Sequence, residues 1–252
     1  MGELLRVEKL RKSFLDLAAV DAIDLQLADG VLVALIGPNG AGKTTLINLL
    51  SGAVAPDAGR VIFRGEDITR LPSHLRVRRG VTRTYQVMNI FSRLTVHENV
   101  LLPVLARQRR LFRFFSPTHT YAAAVEEADH LLQEVGLADQ RDQAAGELPH
   151  GDQRRLELGI AVAVQPVLCL LDEPSAGMNP VERTIVLELV RKLAHDRRTT
   201  FVIVEHDMDV VFSLAERIVV MNRGRILADG TPTEIRENRE VRETYLGEEW
   251  AG

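Results

Sequence analysis

The chain has 252 residues, 46% hydrophobic and 26% charged, and its 31 basic and 35 acidic residues leave a net charge of −4. That length can bury one core with a smaller appendage, the composition is ordinary for a soluble globular protein, and no global field draws the chain onto nucleic acid. The single cysteine, Cys169, excludes an internal disulfide and reads as a small core residue in a reducing cytosol.

Residues 1–6 carry charges where a signal peptide needs an apolar stretch. No uninterrupted apolar run approaches the roughly 20 residues that span a bilayer. The expectation is a chain that reaches a membrane only through a partner. Residues 20–27 alternate roughly, as in a half-exposed strand. Residues 31–36 are continuously apolar, as in a strand covered on both faces. After residues 37–45 comes a helix, then a turn at Pro56-Asp57-Ala58-Gly59 and a short strand at 61–63. Residues 81–86 read as a further strand. A helix is expected over 94–106, with Thr95 and Glu98 at capping-box spacing. Another is expected over 121–135, stopped by Gly136. The basic and aromatic stretch 107–115 between them reads as an exposed loop. Residues 167–171 and 199–204 read as buried strands, with a helix from Pro180 to about 195 between them. Residues 217–221 and 225–228 bracket a hairpin turn at Asn222-Arg223-Gly224. Thr231-Pro232-Thr233-Glu234 combines a capping box with proline at the first helical position. Alternating strands and helices indicate an α/β fold with a mainly parallel sheet, into which a helical segment is inserted.

Gly37-Pro38-Asn39-Gly40-Ala41-Gly42-Lys43-Thr44-Thr45 follows an apolar strand and opens a helix, which is the context a phosphate-binding loop requires. Successive backbone N–H groups would cradle phosphate oxygens, with the helix adding its positive end. Lys43 would supply charge for the β- and γ-phosphates, and Thr44 a hydroxyl ligand for Mg²⁺. Asp172 and Glu173 end the strand at 167–171. Asp172 is placed to hold Mg²⁺ and Glu173 to polarise the water that attacks the γ-phosphate. Gln86, at a strand end, would reach the metal or the water. His206, after the strand at 199–204, would hydrogen-bond the γ-phosphate. Phe14 precedes the loop by a plausible distance to stack on adenine, the other reading being an ordinary core aromatic. Arg76, Arg78, Arg79 and Arg83 form a local basic cluster that an ordinary solvated face explains.

The phosphate loop, Gln86, Leu148-Pro149-His150-Gly151-Asp152-Gln153, Asp172-Glu173, Ser175-Ala176-Gly177-Met178-Asn179-Pro180 and His206 resemble the motifs of the ATP-binding-cassette family, in its order and over almost the whole chain. Residues 151–157, Glu205-His206-Asp207-Met208 and Thr244-Tyr245-Leu246-Gly247-Glu248 resemble the ATPase subunits of branched-chain (hydrophobic) amino-acid importers. The resemblance implies a P-loop (RecA-like) core at about 1–87 and 158–235, with an N-terminal antiparallel β portion. It also implies an inserted helical subdomain at about 88–157 and a helical tail from about 236 to 252. ATP and Mg²⁺ are the implied ligands. The implied partners are a second ATPase subunit, two transmembrane permease subunits and, through them, a solute-binding protein, at the inner face of the cell membrane. His150, Gly151 and Asp152 would meet the nucleotide held by the second subunit. The segment departs from the family signature L-S-G-G-Q, because Pro149 replaces the serine, His150 the first glycine and Asp152 the glutamine. Asn179 stands where many members carry aspartate. A nucleic-acid-associated ATPase of the same family and a non-hydrolytic regulatory module remain alternative readings.

Overall fold

The apolar runs become adjacent strands in the computed structural model, which describes residues 2–84, 90–108, 118–195 and 199–246. Strands β1 (Glu3–Phe14), β2 (Leu17–Ala28), β4 (Ala58–Phe63) and β5 (Glu66–Asp67) form an antiparallel sheet in the order β2-β1-β4-β5. The central sheet contains β3 (Leu32–Ile36), β6 (Val81–Arg83), β7 (Leu168–Asp172), β8 (Thr200–Val204), β9 (Arg217–Asn222) and β10 (Arg225–Gly230). Its order is β10-β9-β3-β8-β7-β6, parallel throughout except for the β9–β10 hairpin.

The continuous hydrophobicity of the central strands follows from burial on both faces. Ala34, Ile36, Cys169, Leu171, Phe201, Ile203, Ile218 and Val220 enter one core cluster. Their immediate neighbours Val33, Leu35, Leu168, Leu170, Val202, Val204, Val219 and Met221 enter the other. The second cluster also takes Leu46, Ile47, Leu49 and Leu50 of helix α1 (Lys43–Ser51) and the inner face of the antiparallel sheet. The first is covered by α3 (Val96–Arg107), α4 (Thr118–Glu134), α5 (His150–Ala163), α6 (Pro180–His195) and α7 (Met208–Leu214). Cys169 is fully buried, and burial pushes its thiol up to about 12, which keeps it inert.

Local signals appear where their chemistry demands. Thr95 caps α3 and Thr231 caps α8 (Pro232–Glu237), each through a complete capping box. Arg223 (φ 47) and Gly224 (φ 77) make the two positive-φ positions of the hairpin turn. Strand β6 ends at Arg83 rather than continuing to Gln86: Thr84 lies outside the strand, though its N–H still bonds to Leu170 O (2.9 Å), and residues 85 and 86 are outside the described residues. So is most of the 107–115 stretch. Among the described residues no helix is long and apolar enough to cross a membrane.

The basic cluster is a solvated face only in part: Arg78 is exposed, but other members are not. Arg76, on the short helix α2 (Ser73–Arg78), is fully buried. Its guanidinium donates to the carbonyls of Leu49 and Leu50 (2.7 and 2.8 Å), Thr69 (2.9 Å) and Leu71 (2.9 Å). It therefore satisfies the carbonyl end of α1, where a cation also suits the helix dipole. Burial lowers its pKa to about 10, leaving it charged at neutral pH. The Arg83 side chain is likewise buried, and Arg79 pairs with Glu66. Arg76→Ala should cost about 3–5 kcal/mol in urea unfolding, because several buried carbonyls lose their donor at about 1–3 kcal/mol each. Arg76→Lys should lose less.

Candidate active site

Strand β3 delivers the glycine-rich loop 37–45 between two backbone segments. A Cβ on Gly37 (φ 142) would lie 2.0 Å from the Met221 carbonyl oxygen, and one on Gly42 (φ 101) 2.1 Å from that of Ala19. Both positions therefore require glycine, on steric as well as conformational grounds. The loop closes on itself through Ala41 N–H to Pro38 O (3.1 Å) and is tied to the β9–β10 turn through Gly224 N–H to Ala41 O (2.9 Å). Gly42 is the N-cap of α1 and supplies no side-chain acceptor, so no side chain of the cap occupies the first-turn N–H groups. Asn39, Gly40 and Thr44 are exposed, Pro38 and Thr45 are half-buried, and Ala41 is buried. The Lys43 ammonium turns back over the loop, donating to Gly37 O (2.7 Å) and Pro38 O (3.0 Å). Burial lowers its pKa, opposed by the charges of Glu173 and Asp172. The lysine and both acids thus share one electrostatic site.

Those acids arrive at the carboxyl end of β7, beside the carboxyl ends of β3 and β8, the edge where open α/β sheets bind ligands. Asp172 is fully buried. Its Oδ2 accepts from Arg83 Nη2 (2.8 Å), while Oδ1 has no hydrogen-bond partner among the described residues. Glu173 adopts φ 52, a left-handed conformation that costs a non-glycine residue of order 1–3 kcal/mol. Its Oε1 lies 3.0 Å from His206 Nε2. Both side chains stay open, His206 at 41% and Glu173 at 27% exposure. Phe14 sits at the β1–β2 hairpin with 48% of its surface exposed, so it is not a core aromatic, and Lys12 Nζ lies 5.6 Å from its ring centroid. Gln86 falls outside the described residues.

The segment 148–153 forms the start of α5. Pro149 and His150 are exposed, but Gly151 is buried in its own chain against Glu182 of α6. A Cβ at Gly151 would stand 3.1 Å from Glu182 Cγ, and the exposed residues of this segment are Pro149 and His150. Asp152 is half-buried, and its carboxylate is engaged by Arg155 one turn on, which neutralises it. Gln153 Nε2 reaches back to the Leu148 carbonyl (2.8 Å). Asn179 caps α6 by accepting from the N–H groups of Val181 and Glu182 (both 3.0 Å), a role that asparagine fills as well as aspartate.

Three residues at the site make contacts that motif spacing does not reveal. Arg83 bridges Asp172 and the Asn48 amide oxygen on α1. Glu205, 4% exposed, accepts from the Ser175 hydroxyl (2.8 Å) and N–H (3.2 Å); burial raises its pKa and these bonds oppose the rise. Arg154 holds the backbone that follows β7. Asp172 belongs to a visible acidic pair, but the basic residues that contact the site carry no such signal.

The donor set suits a triphosphate with a divalent cation. An open cradle of N–H groups and one ammonium face the acids. The unpartnered, fully buried Asp172 Oδ1 is an anionic lone-pair site that a hard cation would satisfy, and the exposed Thr44 hydroxyl offers a second oxygen.

Comparison with known proteins agrees with this geometry. The profile of the ABC transporter family matches residues 20–176, and that of the branched-chain amino acid ATP-binding cassette transporter matches residues 225–251. The chain is 40% identical to the high-affinity branched-chain amino acid transport ATP-binding protein BraF of Pseudomonas aeruginosa, over 97% of this chain and 98% of that one. It is 35% identical to the lipopolysaccharide export system ATP-binding protein LptB of Haemophilus influenzae, over 98% of each. Among solved structures it is similar to an ATP-binding cassette of an ABC transporter in the ADP conformation, with a TM-score of 0.84, 31% identity, and coverage of 98% of this chain and 100% of that one.

Proposed function

Because the chain belongs to the ATP-binding-cassette transporter family and is one of its ATPases, we propose that it powers an importer for branched-chain or other hydrophobic amino acids. The observation that carries the chemistry is the meeting of Lys43, the unpartnered Asp172 Oδ1 and the Glu173–His206 pair at the carboxyl ends of adjacent parallel strands. The amino-acid assignment is supported by the match of residues 225–251 and by the higher identity to the branched-chain relative than to the lipopolysaccharide one.

In this reading residues 37–45 hold the ATP phosphates, and Lys43 leaves the Gly37 and Pro38 carbonyls for phosphate oxygens. Thr44, Asp172 and Gln86 hold Mg²⁺, which when bound neutralises phosphate charge. Glu173 orients and deprotonates the attacking water, with His206 fixing the carboxylate and offering its ring to the γ-phosphate. Phe14 stacks on adenine. Pro149 and His150, with the N-terminal peptide groups of α5 that include Gly151 and Asp152, close over the nucleotide of a second ATPase subunit. A triphosphate needs donors on both sides and one subunit covers only one, so ATP joins the pair and hydrolysis loosens it. The helical region at about 88–157, entered through Gln86, passes that motion to two permease subunits at the inner membrane face. A solute-binding protein delivers the cargo.

The test is reconstitution in vesicles with the membrane subunits that copurify with the chain and the solute-binding protein. ATP-dependent accumulation of leucine, isoleucine or valine, abolished by Glu173→Gln, is the expected result. Release of lipopolysaccharide without amino-acid uptake would transfer the assignment to export.

A further inference from the structure

Arg154 lies one turn into α5 and is only 4% exposed. Its Nε donates to the Pro174 carbonyl (3.0 Å), its Nη2 to the Glu173 carbonyl (2.8 Å) and its Nη1 to Glu157 Oε2 (2.5 Å). Glu157 is equally buried at 4%. A guanidinium presents donors in a rigid plane, so three acceptors in three directions fix its position and are fixed by it. Glu157 balances the charge of Arg154, and the bonds it makes at Glu173 and Pro174 reach backbone oxygens only. What Arg154 supplies is geometry.

The residue so held is Glu173, whose backbone adopts φ 52. Left-handed conformations at non-glycine residues persist when their surroundings over-determine them. On one side the Glu173 N–H bonds to Val204 O (3.0 Å) on β8. On the other side the Glu173 carbonyl takes Arg154 and the Ala176 N–H (3.1 Å). The direction of the side chain, and hence the contact of Oε1 with His206, depends on this backbone. Arg154 is also four residues from His150, about 6 Å along a helix, so the exposed start of α5 and the peptide of Glu173 are joined by one rigid turn.

We propose that Arg154 is a positioning residue for the hydrolytic step, holding Glu173 in its left-handed conformation and linking that conformation to the outward end of α5. This rests on the reading of Glu173 as the base. Arg154→Lys keeps the charge but cannot span both carbonyls and Glu157 from one plane. In the full-length chain it should lower kcat about 10–100-fold, the scale expected of a misplaced catalytic group. Affinity for a fluorescent trinitrophenyl-ATP should stay within about two-fold and the melting temperature within a few degrees, because the lost interaction serves the chemical step and not ground-state binding.

The decisive comparison is a double-mutant cycle with Glu173→Gln. If Arg154 acts through Glu173, adding Arg154→Lys to Glu173→Gln lowers the residual turnover no further. Unchanged kcat in Arg154→Lys, a loss that adds in full to that of Glu173→Gln, or a parallel fall in affinity and melting temperature would each overturn the proposal. Full turnover in Glu173→Gln alone would instead reject the role of Glu173. Should Arg154→Lys not fold, Glu157→Gln carries the same cycle. It frees the fork from its counter-charge while conserving shape, and the same lack of additivity is expected.

Discussion

Glu173→Gln lowers ATP turnover by about 10²–10⁴-fold, the usual contribution of a positioned general base, while nucleotide binding persists. The amide keeps the volume of the side chain and an oxygen that can still meet His206 Nε2, now at 3.0 Å from the carboxylate. The αL backbone is held by Val204 and Arg154 through peptide groups, not through the carboxylate, so the fold is indifferent to the change. What disappears is the carboxylate proposed to accept a proton from the attacking water. Steady-state phosphate release measures the loss. Light scattering or size-exclusion chromatography in ATP should show an ATP-bound dimer accumulating, since in the proposed cycle joining precedes hydrolysis. Unchanged phosphate release in this variant would reject the base.

Lys43→Ala acts one step earlier. Lys43 Nζ is the cation of the loop and is already desolvated, with only the Gly37 and Pro38 carbonyls and the more distant acids to compensate it. A phosphate oxygen is a better acceptor than either carbonyl. Losing one charge-assisted bond is worth about 1.5–3 kcal/mol, so ATP affinity should fall about 10–150-fold for each phosphate contact removed. The loop itself should survive, because Gly37 and Gly42 are held by close backbone approach and Ala41 by the Gly224 N–H. Equilibrium dialysis with labelled ATP, alongside a circular-dichroism spectrum that matches the unmodified chain, checks both halves. Unaltered affinity would contradict the phosphate role of the loop.

These variants separate binding from chemistry, and the separation has a structural basis. The cradle is made almost entirely from contiguous residues at the end of β3. Glu173, the proposed hydrolytic group, follows β7 and is held by β8 and the residue after it, through Val204 and His206, and by α5, through Arg154. On the proposed roles, binding is thus a local property of the chain and hydrolysis a property of its tertiary packing. The start of α5 is the segment proposed to face another subunit, and its packing bears on that. Gly151 is pressed on Glu182, while the His150 ring lies 3.8 Å from where a Gly177 Cβ would stand. Movement of this segment would therefore reach the 173–180 loop as well as Arg154.

Much of the fold was legible because its signals are local. Runs of five or six apolar residues between turn formers mark strands covered on both faces, and β3, β7 and β8 lie where those runs do. Thr95 with Glu98 and Thr231 with Glu234 mark helix starts, because their partners lie within one turn. The two acids at the end of β7 and the histidine after β8 were legible for the same reason, each following an apolar strand directly. The basic residues were not. Arg76 and Arg83 read as solvated among other arginines, yet one caps α1 and the other pairs with Asp172, 89 residues away. The packing of Gly151 was not legible either. Its burial depends on Glu182, on a helix whose first residue, Pro180, lies far along the chain from it.

The order of residues along the chain was by itself sufficient to determine the phosphate loop, the strand ends carrying Asp172, Glu173 and His206, and the α/β class, since each rests on neighbours within a single element. Only the tertiary structure decided which charges are buried, which oxygen of Asp172 stays open, and which guanidinium holds the left-handed Glu173. Those outcomes depend on desolvation and on hydrogen-bond directions between elements far apart in sequence, and neither quantity exists until the sheets and helices have packed.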